Sequence, residues 1–234
     1  MKLKVLSLAL GLGAMTLVSC NQVGSKDASL NTAIDSVSYS LGANFGSNLE
    51  RNGLTNINED VFLAAMQAAI NKDSLTIDPR EGNTIINNYL RDLQAQKGEA
   101  NLAKGEQFLS ENANKDGIVT TASGLQYRVI SEGTGARPMA TDQVKVHYRG
   151  TTIDGKEFDS SYKRNEPTTF AANRVIKGWT EALTLMPVGS KYELFIPSKL
   201  AYGPRGAGGN IGPNETLIFE VELLEIVKPD QKNN

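Results

Sequence analysis

The sequence predicts an α+β protein in which an all-helical N-terminal region precedes a β-rich module with one short helix. Three observations predict it. From residue 35 to about residue 114, apolar residues recur at helical intervals. From Ser123 onward they alternate with polar ones, the period of a half-buried strand. One convincing helical stretch, GWTEALTLM, interrupts that second pattern.

The first residues read as a targeting segment. Lys2 and Lys4 open it, and residues 5–18 are apolar. A membrane span needs ~20 apolar residues, so this run has the size of a signal-peptide core. It ends in LVSC, which resembles the bacterial lipobox. That resemblance implies cleavage before Cys20, making residues 1–19 a signal peptide and Cys20 the lipidation site. In the alternative, an ordinary signal, Cys20 is incidental. Several acyl chains on one residue anchor a protein stably, which one chain does not. Residues 20–34 are polar, small and aperiodic, as in a flexible tether.

In DSVSYSLGANFGSNLERNG, Val37, Leu41, Phe45 and Leu49 are four residues apart and share one helix face. Asp35 reads as the N-cap and Gly53 as the stop. NEDVFLAAMQAAI is a second amphipathic helix, capped by Asn58. A third starts with Asp78 as cap and Pro79 at the first helical position, and runs to about Asn112. Unbroken, its ~35 residues would reach ~50 Å. Between Leu93 and Phe108 only Leu102 is large and apolar, which suits a solvent-bridging helix better than a core helix. Gly98 and Gly105 weaken it by ~1 kcal/mol each relative to Ala. The two short helices could hardly bury their apolar faces alone, so a second copy of the chain is the expected partner. The alternative is a small monomeric helical domain.

Four strands follow from alternation. GLQYRVI sets Leu125, Tyr127 and Val129 against Gln126 and Arg128. VKVHYRG sets Val144, Val146 and Tyr148 against Lys145, His147 and Arg149. YELFI buries Tyr192, Leu194 and Ile196, and TLIFEVEL buries Leu217, Phe219 and Val221. The interrupting helix puts Trp179, Leu183 and Met186 on one side.

Composition removes several functions. The formal charge of −2 without a basic stripe argues against a nucleic-acid binder. One Cys and one His rule out most zinc sites, Cys–His pairs and internal disulfides, and no metal or cofactor is expected. His147 reads as an ordinary strand histidine. The stretch AYGPRGAGGNIGPNET, residues 201–216, is the candidate phosphate loop. Its last fingerprint place holds Ile211, a strand follows instead of a helix, and no Walker lysine is present. What remains is a set of aromatics: Tyr148, Phe158, Phe170, Trp179, Tyr202 and Phe219. Core packing explains a lone aromatic. It does not explain Phe158 beside Asp159 in a turn-rich segment, or Tyr202 at the lip of the glycine stretch.

VKVHYRGTTIDGKEFDSSYKRNEPTTF, VIKGWTEALTLMPVGSKYELFIP and LAYGPRGAGGNIGPNETLIFEVELLEI closely resemble FKBP-type peptidyl-prolyl cis-trans isomerases. The resemblance runs from about residue 121 to 226, with FDSS, VIKGW, AYG and TLIFEVELL in order. YSLGANFGSNLERNG and KGEQFLSENA resemble the dimerisation part of the macrophage infectivity potentiator (Mip) subgroup. The resemblance implies an FKBP-like twisted antiparallel sheet of five or six strands wrapping a short helix over residues 119–228. Before it come a helical dimerisation domain and long linking helix over 35–118; a tail follows at 229–234. The implied activity is X–Pro bond rotation during folding of exported proteins, without a cofactor. The alternative is a holdase-type chaperone or binding module with little turnover.

Carried onto matching positions, Trp179 would be the floor of a proline pocket, and Tyr148, Phe158 and Phe219 its walls, with Phe170 beside them. Val175 and Ile176 would form the rim. The Ile176 N–H and the Tyr202 hydroxyl would meet substrate carbonyls. Asp159, positioned by Tyr148 and Arg164, would hold polar contacts at one edge, and Ile211 would close over the ligand. Thr168 stands where small soluble members often carry an aromatic, and Ala207 replaces a bulkier tip residue. The implied partners are proline-containing polypeptides, macrolides of the tacrolimus type and a second copy of the chain. The implied location is the bacterial envelope, lipid-anchored in the outer membrane and facing the periplasm or the cell surface.

Overall fold

The structure, a computed structural model, describes residues 28–227. The signal peptide, Cys20, the start of the tether and the tail expected from sequence lie outside the described residues. By its contacts the chain divides into a unit ending at Leu49 and a unit beginning at Glu50.

Most of helix α1, Ala33–Arg51, belongs to the first unit. Its cap corrects the sequence expectation. The Asp35 N–H donates to Thr32 Oγ1 at 3.2 Å, and the Asp35 carboxylate accepts from the Thr32 N–H at 2.8 Å. This is a capping box, with Thr32 as the N-cap and Asp35 at the third helical position. Val37 and Leu41 are solvent-exposed in the single chain.

In the second unit, Gly53 ends the first helical segment at a left-handed φ of 77°, its N–H on the Glu50 carbonyl at 2.9 Å. Helix α2, Glu59–Asn71, starts with the Asn58 side chain accepting from the Val61 N–H at 3.1 Å. Helix α3, Pro79–Asn112, starts with Asp78 accepting from the Arg80 N–H at 2.8 Å. Its 34 residues run unbroken. No helix among the described residues is long and apolar enough to cross a membrane.

The C-terminal half of α3 is not the solvent-bridging segment that its composition suggested. Gly98, Gly105 and Asn112 are buried. A Cβ on Gly105 would lie 2.3 Å from Thr216 Oγ1, and one on Gly98 would lie 3.4 Å from Pro213 Cβ. The two glycines are seven residues apart, two helical turns, and Asn101 and Asn112 fall on the same face. The stripe has helical spacing but not apolar composition. It buries itself by close backbone approach, which needs residues without side chains.

The sheet contains β1 (Ile118–Thr120), β2 (Gln126–Ser131), β3 (Gln143–Thr152), β4 (Glu157–Ser160), β5 (Thr168–Ala171), β6 (Lys191–Ile196) and β7 (Leu217–Val227). Every pairing is antiparallel, in the order β1-β2-β6-β7-β3-β4, with β5 also on β3. Seven strands thus stand where five or six were expected; β1 and β5 have only three and four residues. Helix α4, Lys177–Leu185, lies against one face, and Trp179, Ala182, Leu183 and the following Met186 join the core there. Val144, Val146, Leu194, Leu217, Val221 and Leu223 meet them from β3, β6 and β7.

The expected alternation fails in β2. Gln126 is buried, while Val129 is 40% exposed. The cause is α3. The Gln126 side chain donates to the Leu109 carbonyl at 2.8 Å and accepts from the Asn112 side chain at 3.0 Å. The same helix covers the outer face of β6, where Phe195 is buried with its ring 6.0 Å from Phe108.

Helix propensity alone would make Gly105→Ala stabilising by ~1 kcal/mol. Overpacking typically costs ~1–3 kcal/mol, and a methyl 2.3 Å from Thr216 Oγ1 decides the sign. Gly105→Ala is expected to lower the denaturant midpoint, and adding Thr216→Ala to restore part of it. A raised midpoint in the single variant would contradict this packing.

Candidate active site

Strand register brings the aromatics together. On β3, Tyr148 follows Val144 and Val146 on the buried face. Gly150, two positions on, pairs with Asp159 of β4 on one side and Phe219 of β7 on the other. A Cβ there would lie 2.7 Å from both the Phe158 and Phe219 rings. Gly150 therefore gives those two rings their space. Sequence reading did not single it out, although a glycine inside a strand signals close approach.

Trp179 sits in the first turn of α4. It meets Tyr148 and Phe219 edge-on, with centroids 5.2 Å away in each case, and Phe170 at 5.5 Å in a tilted arrangement. Phe158 meets Phe219 edge-on at 5.5 Å. Such pairs add ~0.5–1.5 kcal/mol beyond area burial. They enclose a cavity of about 600 Å³. Tyr148, Phe158, Asp159, Phe170, Val175, Ile176, Trp179, Tyr202, Ile211 and Phe219 all line it. So do Thr168, Arg174, Ala207, Gly208 and Asn210, to which no contact role was assigned from the sequence. Arg174 could have been flagged by its place just before Val175 and Ile176.

Arg164 is not in the lining but acts on it. Its Nη1 donates to Asp159 Oδ1 at 2.6 Å, and its Nη2 donates to the Tyr148 oxygen at 2.9 Å. The Tyr148 hydroxyl donates to Asp159 Oδ2 at 2.5 Å. Burial works to raise the Asp159 pKa, but the Tyr148 hydroxyl and the Arg164 guanidinium outweigh it and hold the carboxyl below its ordinary value. Burial, aided by Asp159, raises the Tyr148 phenol. At neutral pH the carboxylate is ionised and the phenol protonated.

Among the described residues, the Ile176 N–H and the Tyr202 hydroxyl are cavity donors without an acceptor. The Ile176 N–H precedes the first turn of α4 and makes no intramolecular hydrogen bond. The Tyr202 hydroxyl, on a half-exposed ring, likewise has none; burial and then the Asp159 charge raise its pKa, so it keeps its proton. The buried indole N–H of Trp179 is also unpaired.

The glycine-rich stretch forms a flap. A short 3₁₀ turn at Gly203–Arg205 leads into a small hairpin. The Ala207 N–H donates to the Ile211 carbonyl at 2.9 Å, and the Ile211 N–H donates back at 3.0 Å. Gly208 and Gly209 take the tip at positive φ, 58° and 71°. Ile211 is buried against the cavity. His147 lies outside the lining, with Nδ1 3.0 Å from Ser161 Oγ and its ring stacked on Tyr162.

The depressed Asp159 pKa fixes the sign of a pH effect. Its stabilising contribution is complete above the unfolded carboxylate value, ~4, and is lost as pH falls through the lower folded value. The stability gap between the wild type and Asp159→Asn is expected to hold at neutral pH and to narrow in denaturation curves run well below ~pH 4. A gap that widens in acid would contradict the ion-paired arrangement.

Residues 135–224 match the FKBP-type peptidyl-prolyl cis-trans isomerase family, and residues 34–129 match the domain amino terminal to FKBP-type peptidyl-prolyl isomerase. The chain is 45% identical to an outer membrane protein MIP of Legionella longbeachae, over 97% of this chain and 99% of that one. It is 47% identical to an FKBP-type 22 kDa peptidyl-prolyl cis-trans isomerase of Escherichia coli, over 81% of this chain and 94% of the relative. The crystal structure of FkpA from Escherichia coli is similar at a TM-score of 0.67 and 34% identity, covering 85% of this chain and 98% of that one. With its cavity, its flap and relatives along nearly its whole length, the chain belongs to the family of FKBP-type peptidyl-prolyl cis-trans isomerases.

Proposed function

We propose that the cavity receives the proline of an X–Pro segment and accelerates rotation about its peptide bond. The observation that carries this is an aromatic cavity with two unused donors, the Ile176 N–H and the Tyr202 hydroxyl. An amide resists rotation with a barrier of ~18–20 kcal/mol, because resonance must be broken. The twisted transition state is less dipolar than the planar amide, so a dry aromatic wall disfavours the planar form more. Holding the ring while the preceding carbonyl swings adds orientation. Removing ~4 kcal/mol from the barrier would give a ~10³-fold acceleration. No bond is made and no proton must be transferred, so the site needs no base.

In this reading Trp179 is the floor, and Tyr148, Phe158, Phe170 and Phe219 are the walls. Val175 and Ile176 form the rim, and Ile211 closes over the ring. Asp159 is the polar edge, held by Tyr148 and Arg164. Macrolides of the tacrolimus type would compete for the same space. Residues 119–228 are read as the isomerase domain, and 35–118 as the dimerisation domain with its linking helix. Exposed Val61, Leu63, Met66 and Ile70 on α2 support pairing of two copies. The motif at Cys20 and the outer membrane name of the Legionella longbeachae relative support a lipid-anchored place in the cell envelope. Clients would be exported polypeptides that fold there.

In a prolyl-peptide isomerisation assay, the wild type is expected to catalyse. Asp159→Leu should lower kcat/KM by about ten- to a hundredfold, ~1.4–2.7 kcal/mol. No catalysed rate above background in the wild type would leave a binding module without turnover. Leu63→Glu with Ile70→Glu is expected to give monomers in sedimentation where the wild type gives dimers; equal masses would count against pairing through α2.

A further inference from the structure

Helix α3 reaches the flap from behind, and this goes beyond the cavity's own lining. We propose that α3 holds the flap in its closed position, and that Asn101 is a positioning residue for Ile211. The proposal rests on the reading of the cavity as the proline site.

Three successive residues after Ile211 lie on the helix. A Cβ on Gly212 would come within 3.2 Å of Asn101 Nδ2 and 3.3 Å of Lys97 Cε. The Pro213 carbonyl accepts from Asn101 Nδ2 at 2.8 Å, in a partly buried place. The Asn214 side chain donates to the Gly98 carbonyl at 3.2 Å. Gly98 lets the Pro213 ring approach the helix backbone. Asn214 is held from the other side as well. Its own N–H donates to the Gly203 carbonyl at 2.8 Å, and its φ is 55°, left-handed. The stem of the flap is thus pinned between its first turn and the helix.

From Pro213 back to Ile211 is two residues, at most ~7 Å of chain. Proline fixes one of the intervening torsions. A displacement at the Pro213 carbonyl therefore passes to Ile211 with little slack. The rest of the helix does not depend on this contact. Its ion pair from Lys104 to Asp154, the Gly105 contact on Thr216 and the Gln126 bond to Leu109 hold α3 on the module by themselves. Asn101 can thus be altered without undocking the helix.

The test uses the full chain. Asn101→Asp keeps the shape of the side chain and removes the donor. Lys104→Ala removes a different α3 contact, the ion pair to Asp154 between β3 and β4, and serves as the control. Amide hydrogen exchange at Ala207 and Ile211 reports the flap without any ligand. Asn101→Asp is expected to speed this exchange and to lower kcat/KM for a prolyl peptide by about three- to tenfold, mainly through KM. Its unfolding midpoint should match that of Lys104→Ala, which leaves exchange and kinetics unchanged. Asn101→Gln, which restores an amide donor, should recover part of both. Unchanged exchange in Asn101→Asp overturns the proposal, and so does faster exchange with wild-type kcat/KM. A wild type without turnover would sink the isomerase reading instead, and exchange alone would then judge the clamp.

Discussion

Trp179 stands where the core ends and the cavity begins, and the arrangement of both follows from it. Its ring is edge-on to Tyr148 and Phe219 and tilted on Phe170, so one side chain of α4 orders residues of β3, β5 and β7. The helix can press it there because Gly178, next to it, has no side chain. A Cβ at that position would lie 2.5 Å from Ile196 Cγ2. The seat has a cost. An indole N–H buried without an acceptor loses ~1–3 kcal/mol. A buried aromatic of this size removes ~150–250 Å² from water, which at ~25 cal/mol per Å² stabilises by ~4–6 kcal/mol. The apolar term wins, and the cavity floor stays aromatic.

Around this floor the one ionised group in the lining that is paired has been made quiet. Asp159 is satisfied by Tyr148 and Arg164, so its charge is committed before any ligand arrives. The Ile176 N–H and the Tyr202 hydroxyl, away from that pair, stay free. That division suits a site that grips carbonyls and an apolar ring but performs no proton transfer.

Much of this was legible in the sequence where one physical rule acted alone. In β3 and most of β7 burial follows alternation, because one face packs into the core and the other does not. Asn58 and Asp78 cap as their side chains dictate. The misreadings arose where two elements compete. Thr32 displaced Asp35 as the cap, since hydroxyl and carboxylate serve each other's amides. Gln126 is buried and Val129 is not, because a helix distant in sequence covers the polar side chain. Gly98 and Gly105 looked like weak points of α3 by propensity, yet they are its points of closest contact. Propensity describes a helix alone in water, and these glycines answer to what lies across from them. The aromatics of the cavity stood out in the sequence at inward-facing or loop positions, and the resemblance gave them their places. Gly150, which makes their packing possible, carries no side chain to attract notice.

The order of strands has a consequence for how the protein folds. The strand that joins the two halves of the sheet, β7, lies between β6 and β3 and comes last in the chain. During folding, α2 and α3 can form from local contacts, and β3 can pair with β4 and β5, which follow it directly in the chain. The β1-β2-β6 half has nothing to join it to β3 until residues 217–227 arrive and slide in between. Phe219, a wall of the cavity, travels on that strand. Until β7 pairs, β6 and β3 each present an open edge and the cavity lacks a wall, so closure of the sheet and birth of the site are one event.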